Sequence, residues 1–279
     1  MGKSAVMSSI ASAPESWPWP PIVRASVGWH LLAVGAAVFV PGAAPWAIGA
    51  IVLNHVLITA AGLTPRSSLL GPNVTRLPKA AADRREIALT IDDGPDPEVT
   101  PQVLDLLDAH GQRATFFCIA DCVLAHPALA REIVARGHSI QNHTAQHRHN
   151  FSFLGPRGFA AEISRAQQVL EETTGQRPDC FRAPAGLRNP FLAPVLHRLG
   201  LSLVSWTRRG FDTRERDAAT VLARLTRGLA AGDILLLHDG HAARTAAGRP
   251  VVLEVLPPLL ARIRADGLRA VTLPEALAA

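Results

Sequence analysis

Cysteine is scarce in this chain. There are three, Cys118, Cys122 and Cys180, among 279 residues. An odd, small set does not make a disulfide framework. Cys118 and Cys122 stand four apart, but no second pair completes a zinc-ribbon spacing. The three read as ordinary thiols in or near strands, which leaves the redox compartment open. Also missing is any Lys/Arg-rich run with interleaved aromatics. The formal net charge is a modest +5 and scattered, so nucleic acid is not expected as a partner.

A third absence is local. Between Arg24 and Arg66 there is no Asp, Glu, Lys or Arg; only His30 and His55 could carry charge. As one helix that stretch would run roughly 60 Å, about twice a bilayer core. The break is visible in "VPGAAPW" (Val40–Trp46), with Pro41, Gly42 and Pro45. Two hydrophobic helices are expected, about Ala25–Val40 and Trp46–Gly62, joined by a tight turn. They read as a membrane-associated hairpin, either spanning or re-entrant; a helical pair packed on a soluble domain is the alternative. A signal peptide fits poorly, because a second apolar segment follows the first without a cleavage site. Arg24 flanks one end, and Arg66, Arg76 and Lys79 flank the other. That pattern favours both ends in the cytoplasm, at a bacterial inner membrane. A signal-anchor arrangement would instead put the C-terminal part outside.

What is present is a regular alternation. Hydrophobic residues make up 48% of the chain, enough for a packed core. Residues 1–62 form a tail and the hairpin. Residues 63–85 mix Pro, Ser, Gly and charge without period, and read as a linker. From residue 86 to 279, strand-like and helix-like segments alternate. Seven β segments begin with "EIALTID" and end with "RAVTL", with six helical segments between them. This predicts an α/β domain with parallel strands covered by helices, either a barrel or an open doubly wound sheet.

Polar residues gather where the strands end. Asp92 and Asp93 follow the first, in "TIDDGP". His143 and His147 follow the third, Arg182 the fourth, Asp212 the fifth and His238 the sixth. In parallel α/β folds, chemistry sits at the C-terminal ends of strands. Adjacent carboxylates repel unless something neutralises one of them. His143 and His147, four apart, would share one face of a helical turn. One carboxylate and two imidazoles suit a catalytic divalent metal with a place left for water. Each signal alone is weak: "DDGP" can be a turn, His238 a core histidine, Arg182 a plain ion-pair partner, and Asp212 a helix cap. Their joint placement is what points to a site.

Together, "TIDDGP", "HTAQH", "RAPAG", "GFD" and "LLLH" resemble, in order, the five motifs of the polysaccharide deacetylases, the NodB-homology domain of carbohydrate esterase family 4. The resemblance covers roughly Glu86 to Leu273. It implies a distorted (β/α) barrel and metal-dependent hydrolysis of N-acetyl, or other acyl, groups on a carbohydrate. By the same match, Asp92 is the expected general base and Asp93, His143 and His147 the metal ligands. Thr144 would orient their loop, and Arg182 would tether the base. Asp212 would tune the acid, His238. Ala185 would offer a backbone N–H to the oxyanion, and Leu236 would line the acetyl pocket. Zinc is the expected ion, with cobalt, nickel or manganese as alternatives. This chain departs from the pattern at three places: Ala185 stands for Tyr, Arg209 for Asp, and Thr213 for Trp. Those changes reshape the groove and question a long-polymer substrate; a lipid-linked or envelope glycan is expected. A silent binding module on the same barrel is the competing expectation. The sequence does not set the oligomeric state.

Overall fold

The computed structural model describes residues 17–278. Two apolar helices come first, α1 (Pro21–Phe39) and α2 (Ala44–Gly62). The domain follows as α3 (Lys79–Asp83), β1 (Glu86–Asp92), α4 (Thr100–Ala109), β2 (Thr115–Cys118), α5 (Ala120–Ala125), α6 (Pro127–Ala135), β3 (Ser139–Asn142) and α7 (Pro156–Thr174). It continues as β4 (Cys180–Phe181), α8 (Leu192–Leu199), β5 (Ser202–Leu203), β6 (Arg208–Arg209), α9 (Ala218–Thr226), β7 (Ile234–His238), α10 (Val251–Ala265), β8 (Arg269–Val271) and α11 (Leu273–Leu277). The seven expected strands are all present. The sheet runs β5-β4-β3-β2-β1-β7-β6, with β8 beside the start of β1, and its named pairs are parallel. It curls into a distorted (β/α) barrel.

Period-2 alternation decides what faces inward. On β1, Ile87, Leu89 and Ile91 pack outward in one apolar cluster with α4 and α10, including Val103, Leu107, Leu256 and Leu260. Each such buried side chain stabilises the fold by roughly 1.5–3 kcal/mol. Ala88 faces the interior with Phe117, Ile234, Leu236, Val204 and Trp206. Thr90 and Asp92 share the parity of Ala88, so the barrel interior turns polar toward the strand ends.

Two features were not visible in the sequence. β6 is a two-residue strand inside "WTRRGFD", just after β5. It forms because β7 offers a free edge to Arg208 and Arg209. The segment 63–85 is also packed. Val74 bridges to Val204, its N–H donates to Leu203, and its carbonyl accepts from Ser205. The Leu77 N–H then donates to Gly232, and Leu70 and Leu77 are buried. This stretch lies along the outer edge of β5 and across to the start of β7. Backbone groups there need partners, and the open seam of the sheet supplies them.

α1 and α2 pack on each other and expose Leu31, Leu32, Phe39, Trp46 and Ile48. Each has 19 residues and is long and apolar enough to cross a membrane. Polar contacts join them: Asn54 donates to Ser26 at 2.7 Å, and the Nε2 atoms of His30 and His55 lie 3.3 Å apart.

Candidate active site

One cleft of about 590 Å³ opens at the C-terminal ends of the strands. Asp92, Asp93, His143, His147, Ala185, Leu236 and His238 line it. Arg182, Thr144 and Asp212 lie buried behind it.

β1 and β7 set the first relationship. Asp92 and His238 are register partners on adjacent parallel strands. Thr90 and Leu236 pair two residues below, on the same face, which places Leu236 in the cleft floor. Successive residues of a strand point to opposite faces, so Asp93 should turn away from Asp92. It does not, because its φ is +77°. That left-handed turn brings both carboxylates into one cleft.

The same device recurs around the rim. Among the described residues, seven non-glycine residues have positive φ, and six of them are Asp93, Thr144, His147, Ala185, Phe211 and His241. All six belong to the loops that form the cleft. Each costs of order 1–3 kcal/mol and persists only where its surroundings fix it. The histidine spacing is therefore realised differently from expectation. His143 and His147 are not on a helical turn. The Thr144 hydroxyl accepts from the His147 N–H at 2.8 Å, and the Thr144 N–H donates to Asn142 at 2.9 Å. This folded loop, not a helix face, brings the two rings within 4.9 Å of each other.

Their Nε2 atoms lie 3.2 and 3.3 Å from Asp93 Oδ1. The three ligand atoms fall within 4.8 Å of one another. His143 Nδ1 lies 2.8 Å from the Arg182 carbonyl, which fixes Nδ1 as the N–H. In the neutral ring, Nε2 is then a bare lone pair facing a carboxylate oxygen. Asp93 Oδ1 is buried with no hydrogen-bond donor among the described residues. Such an oxygen costs roughly 1–3 kcal/mol, and a cation among the three atoms would remove that cost. The donor set fits a divalent metal ion.

Electrostatics separate the groups. Burial works against charge on His143, but Asp92 and Asp93 overcome it and raise its pKa. Burial, with His143 beside it, holds His147 down to about 4. It is neutral near pH 7, as a ligand must be. Burial also opposes ionisation of Asp93, yet the neighbouring His143, His241 and His238 imidazoles keep its pKa well below the usual range.

Asp92 is held apart from this trio. Arg182 Nη1 donates to Asp92 Oδ1 at 2.6 Å and to Thr90 Oγ1 at 2.8 Å. The rest of the guanidinium donates to the Val204 and Ser205 carbonyls, and it stacks 4.1 Å above Phe117. Opposite, His238 Nδ1 lies 2.9 Å from Asp212 Oδ1, and its backbone N–H donates to Asp212 Oδ2 at 2.7 Å. Asp212 is wholly buried and does not cap α9; Asp217 does. Burial disfavours the imidazolium, but Asp212 outweighs it and lifts His238 to about 9.

The sequence profile of the polysaccharide deacetylases matches residues 79–204. A chitooligosaccharide deacetylase of Azorhizobium caulinodans is 33% identical over 202 residues, covering 69% of this chain and 94% of that one. The chain belongs to the polysaccharide deacetylase family. A peptidoglycan-N-acetylglucosamine deacetylase of Listeria monocytogenes is 31% identical over 72% of this chain. The match spans only 41% of that longer relative. Among solved structures, the Bc1960 peptidoglycan N-acetylglucosamine deacetylase superposes with a TM-score of 0.67 at 26% identity, covering 74% of this chain and 92% of that one. The profile's span holds Asp92, Asp93, His143, His147 and Arg182. It ends before Asp212 and His238, which β7 brings to the same cleft.

One residue of this polysaccharide deacetylase family member was missed from sequence. His241 reaches back from the loop after β7, its Nδ1 3.4 Å from Asp93 Oδ2. Only its place two residues after Asp239 hinted at this. Asp239 itself faces the other way, buried against the Thr100 hydroxyl, and burial pushes it up to about 7. His149 is exposed at the cleft margin. Cys122 is half-buried in the cleft wall, while Cys118 and Cys180 are buried.

Proposed function

We propose that this chain is a metal-dependent deacylase that removes N-acetyl groups from a carbohydrate held at a membrane. The observation that carries this reading is the division of the two adjacent aspartates. Asp93 sits with two imidazoles, while Asp92 is kept out of that trio by Arg182 and stands in register with His238.

Asp93, His143 and His147 would hold the metal, most suitably zinc. When bound, such an ion supplies an acidified water and a polarised amide carbonyl. The chain's own groups do the proton work. Asp92 accepts the proton of the attacking water. Arg182 holds that carboxylate in place and balances its charge. The Ala185 N–H, on a left-handed turn with φ +54°, would donate to the developing oxyanion. His238, raised to about 9, carries its proton near pH 7. It delivers it to the sugar nitrogen as the C–N bond breaks and acetate leaves. Leu236 shapes the floor for the acetyl methyl. Because acid and base are both in place beside a ligand set, a silent binding module is the weaker reading.

The membrane part of the proposal rests on how the hairpin is attached. The Arg188 N–H donates to the Gly62 carbonyl at the end of α2. Arg188 also donates to the Ser67 carbonyl, and Arg66 donates to Thr207. Gly186, in the cleft wall, is packed against Pro65. The cleft is thus mounted directly beside the apolar hairpin, which suits a lipid-linked sugar. The basic flanks at Arg24, Arg66, Arg76 and Lys79 support a cytoplasmic face.

The test is metal analysis with acetate release from a panel of N-acetylated sugars, run beside Asp92→Asn. Full metal content with lost turnover in the variant supports the reading. Turnover that persists without metal, or in Asp92→Asn, overturns it. A C-terminal reporter fusion that is active only outside the cytoplasm would overturn the topology alone.

A further inference from the structure

β6 carries two arginines with opposite surroundings. Arg208 is fully engaged: it pairs with buried Asp233 and donates to the carbonyls of Arg227 and Gly228. Arg209, one residue on, points to the other face, as strand alternation requires. There it lines the cleft with Trp206, Ala185 and Arg214. Its guanidinium carbon lies 5.3 Å from the Trp206 ring and 5.0 Å from the Phe211 ring. Two aromatic faces hold it in place without neutralising it.

Among the described residues, no acid forms a hydrogen bond or ion pair with it. Its Nε is buried and has no hydrogen-bond partner among the described residues. Asp92, Asp212 and Asp93 act on it only through space. Asp92 Oδ1 is committed to Arg182, and both Asp212 oxygens are committed to His238. A guanidinium stays charged at any pH a protein meets, and a half-buried charge without a counterion is unfavourable. A planar fork fixed on a cleft wall matches an oxyanion ligand that accepts two parallel N–H bonds.

We propose that Arg209 reads an anion on the substrate, and that this substrate is an acylated amino sugar bearing a phosphoryl group. The inference rests on the deacylase reading given above. Phosphoryl is favoured because the Pro65–Gly186 contact fixes the hairpin beside this same wall, and a phosphate is a common chemical link between a sugar and a lipid. A soluble sugar phosphate offers the same group.

The test uses the full chain in detergent micelles with zinc supplied. Acetate release is measured from N-acetylglucosamine, N-acetylglucosamine 1-phosphate and a polyprenyl-phosphate-linked N-acetylglucosamine. The wild type should show a KM at least tenfold lower for the phosphorylated sugars. Arg209→Ala should erase most of that preference through KM, and Arg209→Lys should retain part of it. Calorimetry of N-acetylglucosamine 1-phosphate binding, which needs no turnover, should show at least tenfold weaker affinity in Arg209→Ala. Unchanged affinity there, or no preference for phosphorylated sugars in the wild type, overturns the proposal. So does an Arg209→Ala that alters all three sugars equally or shifts only the pH profile; Arg209 would then be an electrostatic neighbour of Asp92 and Asp212. Release from none of the sugars counts against the deacylase reading, while calorimetry still decides the anion. Preference for the lipid-linked over the soluble phosphate identifies the bilayer as its source.

Discussion

Arg182 and Asp92 form a fully buried ion pair at 2.6 Å, the guanidinium about 1% exposed. All the other bonds of that guanidinium run to Thr90, Val204 and Ser205. The pair is a clamp, and its two halves should fail differently. Arg182→Ala leaves a buried carboxylate unpaired and should cost about 3–5 kcal/mol of stability. Asp92→Asn keeps an acceptor for Arg182 but leaves the buried guanidinium without its counter-charge, so it should stay folded and unfold at a lower temperature than the wild type, by less than Arg182→Ala. It should nevertheless lose about 100-fold or more in turnover, since the base is gone. Thermal denaturation beside acetate release separates the two.

The Asp212–His238 pair sets an alkaline limit. With the imidazole lifted from its ordinary 6.5 to about 9, the acid stays protonated through neutral pH. Turnover should fall only as pH rises past about 9. Asp212→Asn removes the carboxylate that supports the charge, so burial then dominates and the limb should move to lower pH. A pH–rate profile of both proteins checks the direction. The linked stability has the same sign. The folded pKa is raised, so the contribution is complete below 6.5 and lost as pH climbs through about 9.

Metal content should follow the ligand trio and ignore the base. His147→Ala should bind well under one equivalent of zinc under conditions where the wild type and Asp92→Asn bind one. Chelation should abolish turnover and re-addition should restore it. Equal zinc content in His147→Ala would show that the ion sits elsewhere.

Gly186 joins the cleft to the hairpin. Its φ is +74°, and a β-carbon there would lie 2.6 Å from Pro65 and 2.8 Å from Trp206. Gly186→Val combines left-handed strain, about 1–2 kcal/mol, with overpacking of about 1–3 kcal/mol. It should lower the melting temperature by several degrees and weaken the seating of residues 63–67. Gly155→Ala, where φ is −82° and nothing lies within 4 Å, should cost only the poorer helix cap, about 1 kcal/mol or less. Differential scanning calorimetry of both variants is the comparison.

The strands and their order in the chain were readable because periodicity is local. β1 reads as a strand from "EIALTID" alone, and Asp92 must then fall at its C-terminal end. The site residues were readable for the same reason: each follows a strand at a fixed offset. Where the reading failed, the deciding contact was distant in sequence. The four-residue spacing of His143 and His147 suits a helix, yet Thr144 and Asn142 tie that loop into another shape. Residues 63–85 look like a linker by composition, but the open edge of β5 recruits Val74. Arg208 and Arg209 are equivalent in the sequence until β7 pairs with them and turns one to Asp233 and the other to the cleft.

The amino-acid order by itself determined the alternating strands and helices, the apolar hairpin, and which polar groups meet at one rim, because these depend on near neighbours and on parity along a strand. Only tertiary structure decided that Asp92 is clamped while Asp93 faces two imidazoles, that His241 reaches back to Asp93, and that Arg209 has no hydrogen-bonded counterion among the described residues. Those facts depend on burial and on partners up to about 150 residues away, where charge and lone pairs must be satisfied by whatever the fold brings near.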